Sequence, residues 1–156
     1  MSLRLMFLPA ALAGGVFATA SAAPPAPTSA ALFARCAACH TATGKGVPGA
    51  YPPLGSDFRK LAAQPAGRRY LLLAVTRGVS GPITVEGKPY RGVMPAQSGL
   101  DDAAVAAVLN HVGTSIAKSG PAFRAFSSAE AAAARASGAT LSGGDVARLH
   151  SSVGGG

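Results

Sequence analysis

The sequence predicts a mainly α-helical domain of three to five short helices joined by long glycine- and proline-rich loops. Three observations carry that expectation. Alanine-rich segments with helical spacing follow capping residues at Thr28, Asp101 and Ser127, whereas only residues 83–90 read as strand. The 20 glycines and 12 prolines gather between those segments. The 156 residues amount to one domain, show no repeat of about 20 to 50 residues, and at 13% charged are too apolar for a disordered chain. One deficiency stands out. Apolar residues reach 49%, but many are alanine, aromatics are 6% and tryptophan is absent, so the side chains make a thin core. Something else is expected to fill the middle.

In chain order, residues 1–22 read as a secretory signal peptide. Arg4 starts it, an apolar run extends from Leu5 to Phe17, and Ala20-Ser21-Ala22 fits small-residue cleavage. Pro9 and Gly14-Gly15 break the run, which falls short of the roughly 20 apolar residues of a membrane span. Cleavage leaves about 134 residues, and no other segment is expected to span a membrane. The remainder divides into a domain over 23–118 and a C-terminal extension over 119–156, expected to be weakly helical or disordered.

Thr28 or Ser29 caps a first helix that runs through Cys36-Ala37-Ala38-Cys39-His40. Export places two cysteines where a disulfide is the ordinary outcome, but C-x-x-C-H is the attachment sequence of haem c. Each thiol adds across a vinyl group and the histidine supplies an axial iron ligand. On a helix, Phe33, Cys36 and His40 fall along one face. Two other uses of the cysteines are weaker. A thioredoxin-like dithiol needs a preceding strand, and residues 24–35 show none. A zinc site would need His111 and His150, which lack the usual close spacing.

Residues 41–55, with four glycines and three prolines, exclude regular structure, and a loop that long needs a function. Ser56 is read as the cap of a short helix to Ala63. Pro65 opens a longer one to Arg77, closed by Gly78 and apolar around much of its circumference. Residues 83–90 suggest a hairpin turning at Glu86-Gly87, weakened by Pro89. Asp101 or Asp102 caps the last domain helix, whose stripe Val105, Val108, Leu109, Val112 and Ile116 should cross the first helix near Leu32 and Phe33. Beyond it, Ser127 and Glu130 form a capping box, Gly143-Gly144-Asp145 precedes another weak helix ending near His150, and Gly154-Gly155-Gly156 is expected to be mobile. This extension is read either as a poorly ordered tail or as a docking segment for a partner subunit through Phe123 and Phe126.

With Cys36-Ala37-Ala38-Cys39-His40 and the stretch from Gly81 to Pro95 ending in Met94-Pro95, the chain resembles the single-haem class I c-type cytochromes, best over residues 30–112. The resemblance implies a small cytochrome c fold wrapped around one covalent haem c. It also implies that Cys36 and Cys39 hold the haem and that His40 and Met94 bind iron from opposite faces. In such proteins a proline carbonyl takes the hydrogen bond of the proximal histidine and a leucine two positions on packs against the haem, roles that fall here on Pro52 and Leu54. Beside the resemblance, Met94 is the one methionine left after cleavage and lies in a loop between Gly92 and Pro95, an unusual place for a core filler. His111, His150 or water remain alternative sixth ligands. Tyr90 is read either as a hydrogen-bond donor to a haem propionate or as a half-buried loop tyrosine.

The formal charge is +8, spread without a block of like charge, which argues against nucleic acid and suits steering toward acidic docking surfaces. The expectation is a periplasmic one-electron carrier, not catalytic alone, serving a dehydrogenase or a terminal oxidase or reductase. Its rivals are an electron-accepting haem subunit of a periplasmic dehydrogenase and a haem catalyst or gas binder with an open sixth site.

Overall fold

The computed structural model describes residues 26–156; the signal peptide expected over 1–22 lies outside them. Six α-helices are present among the described residues: α1 (Ser29–His40), α2 (Ser56–Ala62), α3 (Pro65–Arg77), α4 (Asp102–His111), α5 (Ser128–Ser137) and α6 (Gly143–Ser152). Four short strands, β1 (Val79–Ser80), β2 (Ile83–Val85), β3 (Lys88–Tyr90) and β4 (Val93–Met94), form two antiparallel pairs, β1 with β4 and β2 with β3. The fold is mainly α, as the sequence indicates. No described helix is long and apolar enough to cross a membrane.

Local chemistry sets most boundaries. Thr28 Oγ1 accepts the Ala31 N–H to start α1, and Asp101 Oδ1 accepts the Ala104 N–H to start α4. Pro65 opens α3 at a position where its missing N–H costs nothing. The hairpin turns through Glu86 and Gly87, both at positive φ, and Pro89 is tolerated because β3 pairs on one side only.

The α2 start differs from expectation. Its N-cap is Gly55, and Ser56 does not cap it. Instead the Glu86 carboxylate reaches back from the hairpin and accepts from the Ser56 N–H at 2.7 Å, the Ser56 hydroxyl at 2.9 Å and the Asp57 N–H at 3.4 Å. An acidic group there satisfies free donors and opposes the positive helix end. The last domain helix also differs, because after His111 it widens into a π-helical segment, Val112–Ile116. Arg59 donates to the Gly113 carbonyl of that segment and to the Ala117 carbonyl just after it, at 3.0 and 2.9 Å.

Helix α4 crosses α1 where the stripe predicts, with the Phe33 ring 5.2 Å from the His111 ring. The imidazole there does the packing of an aromatic side chain. Leu61, Leu73 and Val105 lie at the centre of the buried cluster.

The extension forms two helices packed on the rest of the domain. Helix α5 packs on α3 and α4, and α6 on α3, β1 and β2. Arg68 anchors α5: buried on α3, it makes a two-pronged ion pair with Glu130, donates to the Arg124 and Ala125 carbonyls, and stacks 3.8 Å over the Phe126 ring. Asn110 exchanges two hydrogen bonds with the Phe126 backbone, and Arg135 bridges to Asp102. Phe126 is buried, and Phe123 packs 6.2 Å from Phe58. The second helix starts at a Ser142–Asp145 capping box, slightly earlier than read. The glycine tail is tied down, with Gly155 N–H donating to the His150 carbonyl and Gly156 N–H to Asp57 Oδ1.

Candidate functional site

An apolar cavity of about 210 Å³ opens between α1, α3, the 50–54 loop and the β1–β4 pair. A concave apolar hollow of that size is suited to hold a group, which answers the thin core inferred from composition. Every predicted site residue, Cys36, Cys39, His40, Pro52, Leu54, Tyr90 and Met94, lines it.

Cys36 and Cys39 stand three residues apart on α1 and so face the cavity from one side, as free and partly exposed thiols. Burial pushes the Cys36 thiol above its ordinary pKa, countered in part by nearby Arg35. His40 ends the helix and is 8% exposed. Its Nδ1 lies 2.9 Å from the Pro52 carbonyl oxygen. A carbonyl only accepts, so Nδ1 carries the proton and Nε2 keeps its lone pair, the state an imidazole needs to ligate a metal. Burial lowers the His40 pKa, with the Pro52 bond acting in the opposite direction, and so favours the neutral ring.

The irregular 41–55 loop exists to bring Pro52 there. Gly46 N–H donates to the His40 carbonyl, Val47 and Tyr51 bridge, and Leu54 N–H donates to the Gly44 carbonyl, folding the loop back under the helix end. Leu54 is thereby packed against the buried cluster.

Met94 is placed by pairing rather than by a bare loop. It lies opposite Val79 in the β1–β4 ladder. Gly78, just before β1, has φ +78° and ψ 176°, a conformation essentially confined to glycine. A Cβ there would meet the Met94 carbonyl oxygen at 2.5 Å and the Ala96 nitrogen at 2.8 Å. Gln97 N–H closes the turn onto the Val75 carbonyl at 2.8 Å. Tyr90 is buried on β3, not half-buried.

His111 sits at the α1–α4 crossing and is not a lining residue, whereas His150 lines the cavity. Among the described residues no three His, Cys, Asp or Glu side chains gather to hold a metal ion, so the Cys36, Cys39, His111, His150 zinc set is not assembled. Sequence reading carried His150 only as an alternative ligand and missed Asp57 and the pairing of the two. They are 93 positions apart and no local pattern connects them.

Two thiols on one helix face, a neutral imidazole beside them, a thioether and an apolar hollow form a donor set suited to a flat apolar group with an iron centre. Comparison with known proteins agrees. The family model for cytochrome c matches residues 28–115, more than half of the chain. Two curated relatives named cytochrome c-552, both from Thermus thermophilus, are each 45% identical over 83 residues, 53% of this chain. That stretch covers 63% and 56% of their respective lengths, less than two thirds of either.

Proposed function

Since the chain belongs to the cytochrome c family and has haem c as its cofactor, we propose that it is an exported, periplasmic one-electron carrier. In this reading residues 23–118 are the haem domain, Cys36 and Cys39 hold the haem, and His40 and Met94 ligate its iron. The observation that carries it is the convergence on one cavity of both thiols, the His40 ring with its outer nitrogen bonded to Pro52, and Met94.

When bound, the haem supplies an iron that alternates between Fe(III) and Fe(II). Pro52 fixes the His40 tautomer and raises its basicity, while the β1–β4 pair and Gly78 fix Met94. A neutral thioether and apolar walls favour the lower charge of Fe(II), which raises the reduction potential. Two side-chain ligands leave no position for substrate, so the chain acts as a carrier and not as an enzyme.

At the cavity mouth Tyr51 and Val93 are exposed, at 40% and 69%, with Arg35 also lining the wall. A small apolar patch beside positive charge suits brief docking on an acidic surface of a dehydrogenase or terminal oxidase or reductase. The packing of the extension on α3 and α4 supports a free carrier over a dehydrogenase subunit, since Phe123 and Phe126 are turned to this domain.

The test is a redox titration with carbon monoxide as a probe. The carrier reading expects a reversible one-electron transition and no carbon monoxide binding by the reduced protein, whereas Met94→Ala binds it. Ready binding by the unmodified protein, with a high-spin ferric spectrum, would instead support the haem catalyst or gas binder.

A further inference from the structure

Met94 stands on β4, which pairs with β1 over two residues only, Val79 opposite Met94 and Ser80 opposite Val93. So short a ladder does not hold itself in water. Among the described elements, the other one packed closely on β1 is α6, at the far end of the sequence.

The approach is backbone to backbone. Gly143, the first residue of α6, has no positive φ, so no turn requires a glycine there. A Cβ at 143 would stand 3.2 Å from the Ser80 nitrogen and 3.3 Å from the Ser80 Cβ, tighter than ordinary contact. One turn on, Ala147 is 5% exposed and packs on Gly81, where a Cβ would lie 3.7 Å from the Ala147 Cβ. Val146, between them, is fully buried and shares the core cluster with Val79. Both ends of α6 are tied to the rest of the domain. Just before it, the Leu141 carbonyl accepts from Arg77 Nε at 2.9 Å, at the end of α3 and two residues ahead of β1. At its far end His150 Nε2 lies 2.9 Å from Asp57 Oδ2 on α2, and the Gly156 N–H donates to Asp57 Oδ1 at 2.8 Å. Helix α6 is thus braced on α2 and α3 and bears on β1.

On the reading above that Met94 ligates the haem iron, we propose that the extension is part of the iron site: through Gly143 and Ala147 it holds β1, β1 holds β4, and Met94 is kept in place. Neither residue lines the cavity, so both are positioning residues. What they decide is whether the sixth position stays closed to a small added ligand. Leucine at 147 adds three carbons at a buried contact, and relieving that overlap by a shift of β1 moves the balance toward an open position by about 5- to 150-fold.

The experiment compares the full haem-loaded wild type with Ala147→Leu, Gly143→Val and Arg68→Met, each well below its unfolding temperature. Arg68→Met loosens α5 without touching α6 or β1 and serves as the destabilised control. The inference expects both α6 variants to lose the near-infrared sulfur-to-iron band and to bind carbon monoxide when reduced. Arg68→Met should keep the band and exclude the gas although its Tm falls. An intact band in both α6 variants overturns the inference, as does an equal loss in Arg68→Met, which would make the effect one of general stability. Should neither α6 variant fold, Ala147→Val repeats the test with one carbon fewer: a weakened band supports the inference and an undiminished one overturns it. Failure of Met94 ligation itself shows differently, in the wild type, as a missing band and ready carbon monoxide binding.

Discussion

Replacing Gly78 with alanine tests how the protein seats Met94. The residue has φ +78° and ψ 176°, where a side chain costs about 1–3 kcal/mol. The added Cβ would also stand 2.5 Å from the Met94 carbonyl oxygen and 2.8 Å from the Ala96 nitrogen. Both are backbone atoms, so the strand must move by several tenths of an ångström, at about 1–3 kcal/mol for an overpacked site. The total is about 2–6 kcal/mol, enough to lower Tm by roughly 10 °C in a domain of this size. Movement of β4 carries Met94 with it, so the weak near-infrared sulfur-to-iron band should fade and ferric high-spin signal should grow. The assay is thermal unfolding together with the ferric absorption spectrum. A Gly78→Ala protein with unchanged Tm and an undiminished band would refute this account of how Met94 is held.

Two further outcomes concern the extension. Arg68→Met removes the donors to Glu130 and to the Arg124 and Ala125 carbonyls, and should cost about 3 kcal/mol, at the low end for breaking a buried pair because Glu130 is partly exposed; denaturant unfolding and protease cleavage near α5 measure it. The Arg68 guanidinium, aided by the Ser127 N–H and Arg124, holds the Glu130 carboxyl down at about 2, below its unfolded value of about 4.3. Its contribution is therefore present above about pH 4.3 and lost as pH falls toward 2. Glu130→Gln should be less stable than wild type at neutral pH by about 1–2 kcal/mol after solvent screening, and the two unfolding curves should converge near pH 2.

Much of the site was legible because attachment chemistry is local. Cys36, Cys39 and His40 are adjacent in sequence, Met94-Pro95 stands in an aperiodic stretch, and helix caps such as Thr28, Asp101 and Ser127 act within three residues. What escaped depends on contacts between distant segments. Glu86 reads locally as a hairpin turn residue, and only folding brings it to the start of α2, 30 positions earlier. The extension reads as weakly helical because its helices are too short to stand alone, but Arg68, 62 positions before Glu130, supplies a tertiary contact that the local sequence does not show. His150 looked like a tail residue for the same reason: its partner Asp57 lies 93 positions away. The π-helical widening after His111 is likewise invisible in a stripe that keeps its apolar spacing through Ile116.

The most direct test of the central claim is the mass of the purified protein, with its absorption spectrum, for wild type and for Cys36→Ala/Cys39→Ala. The account predicts one haem retained through denaturation and c-type bands in the wild type, and no covalent haem in the double variant. A wild-type mass equal to the polypeptide alone, or haem that remains covalent without both cysteines, would contradict it.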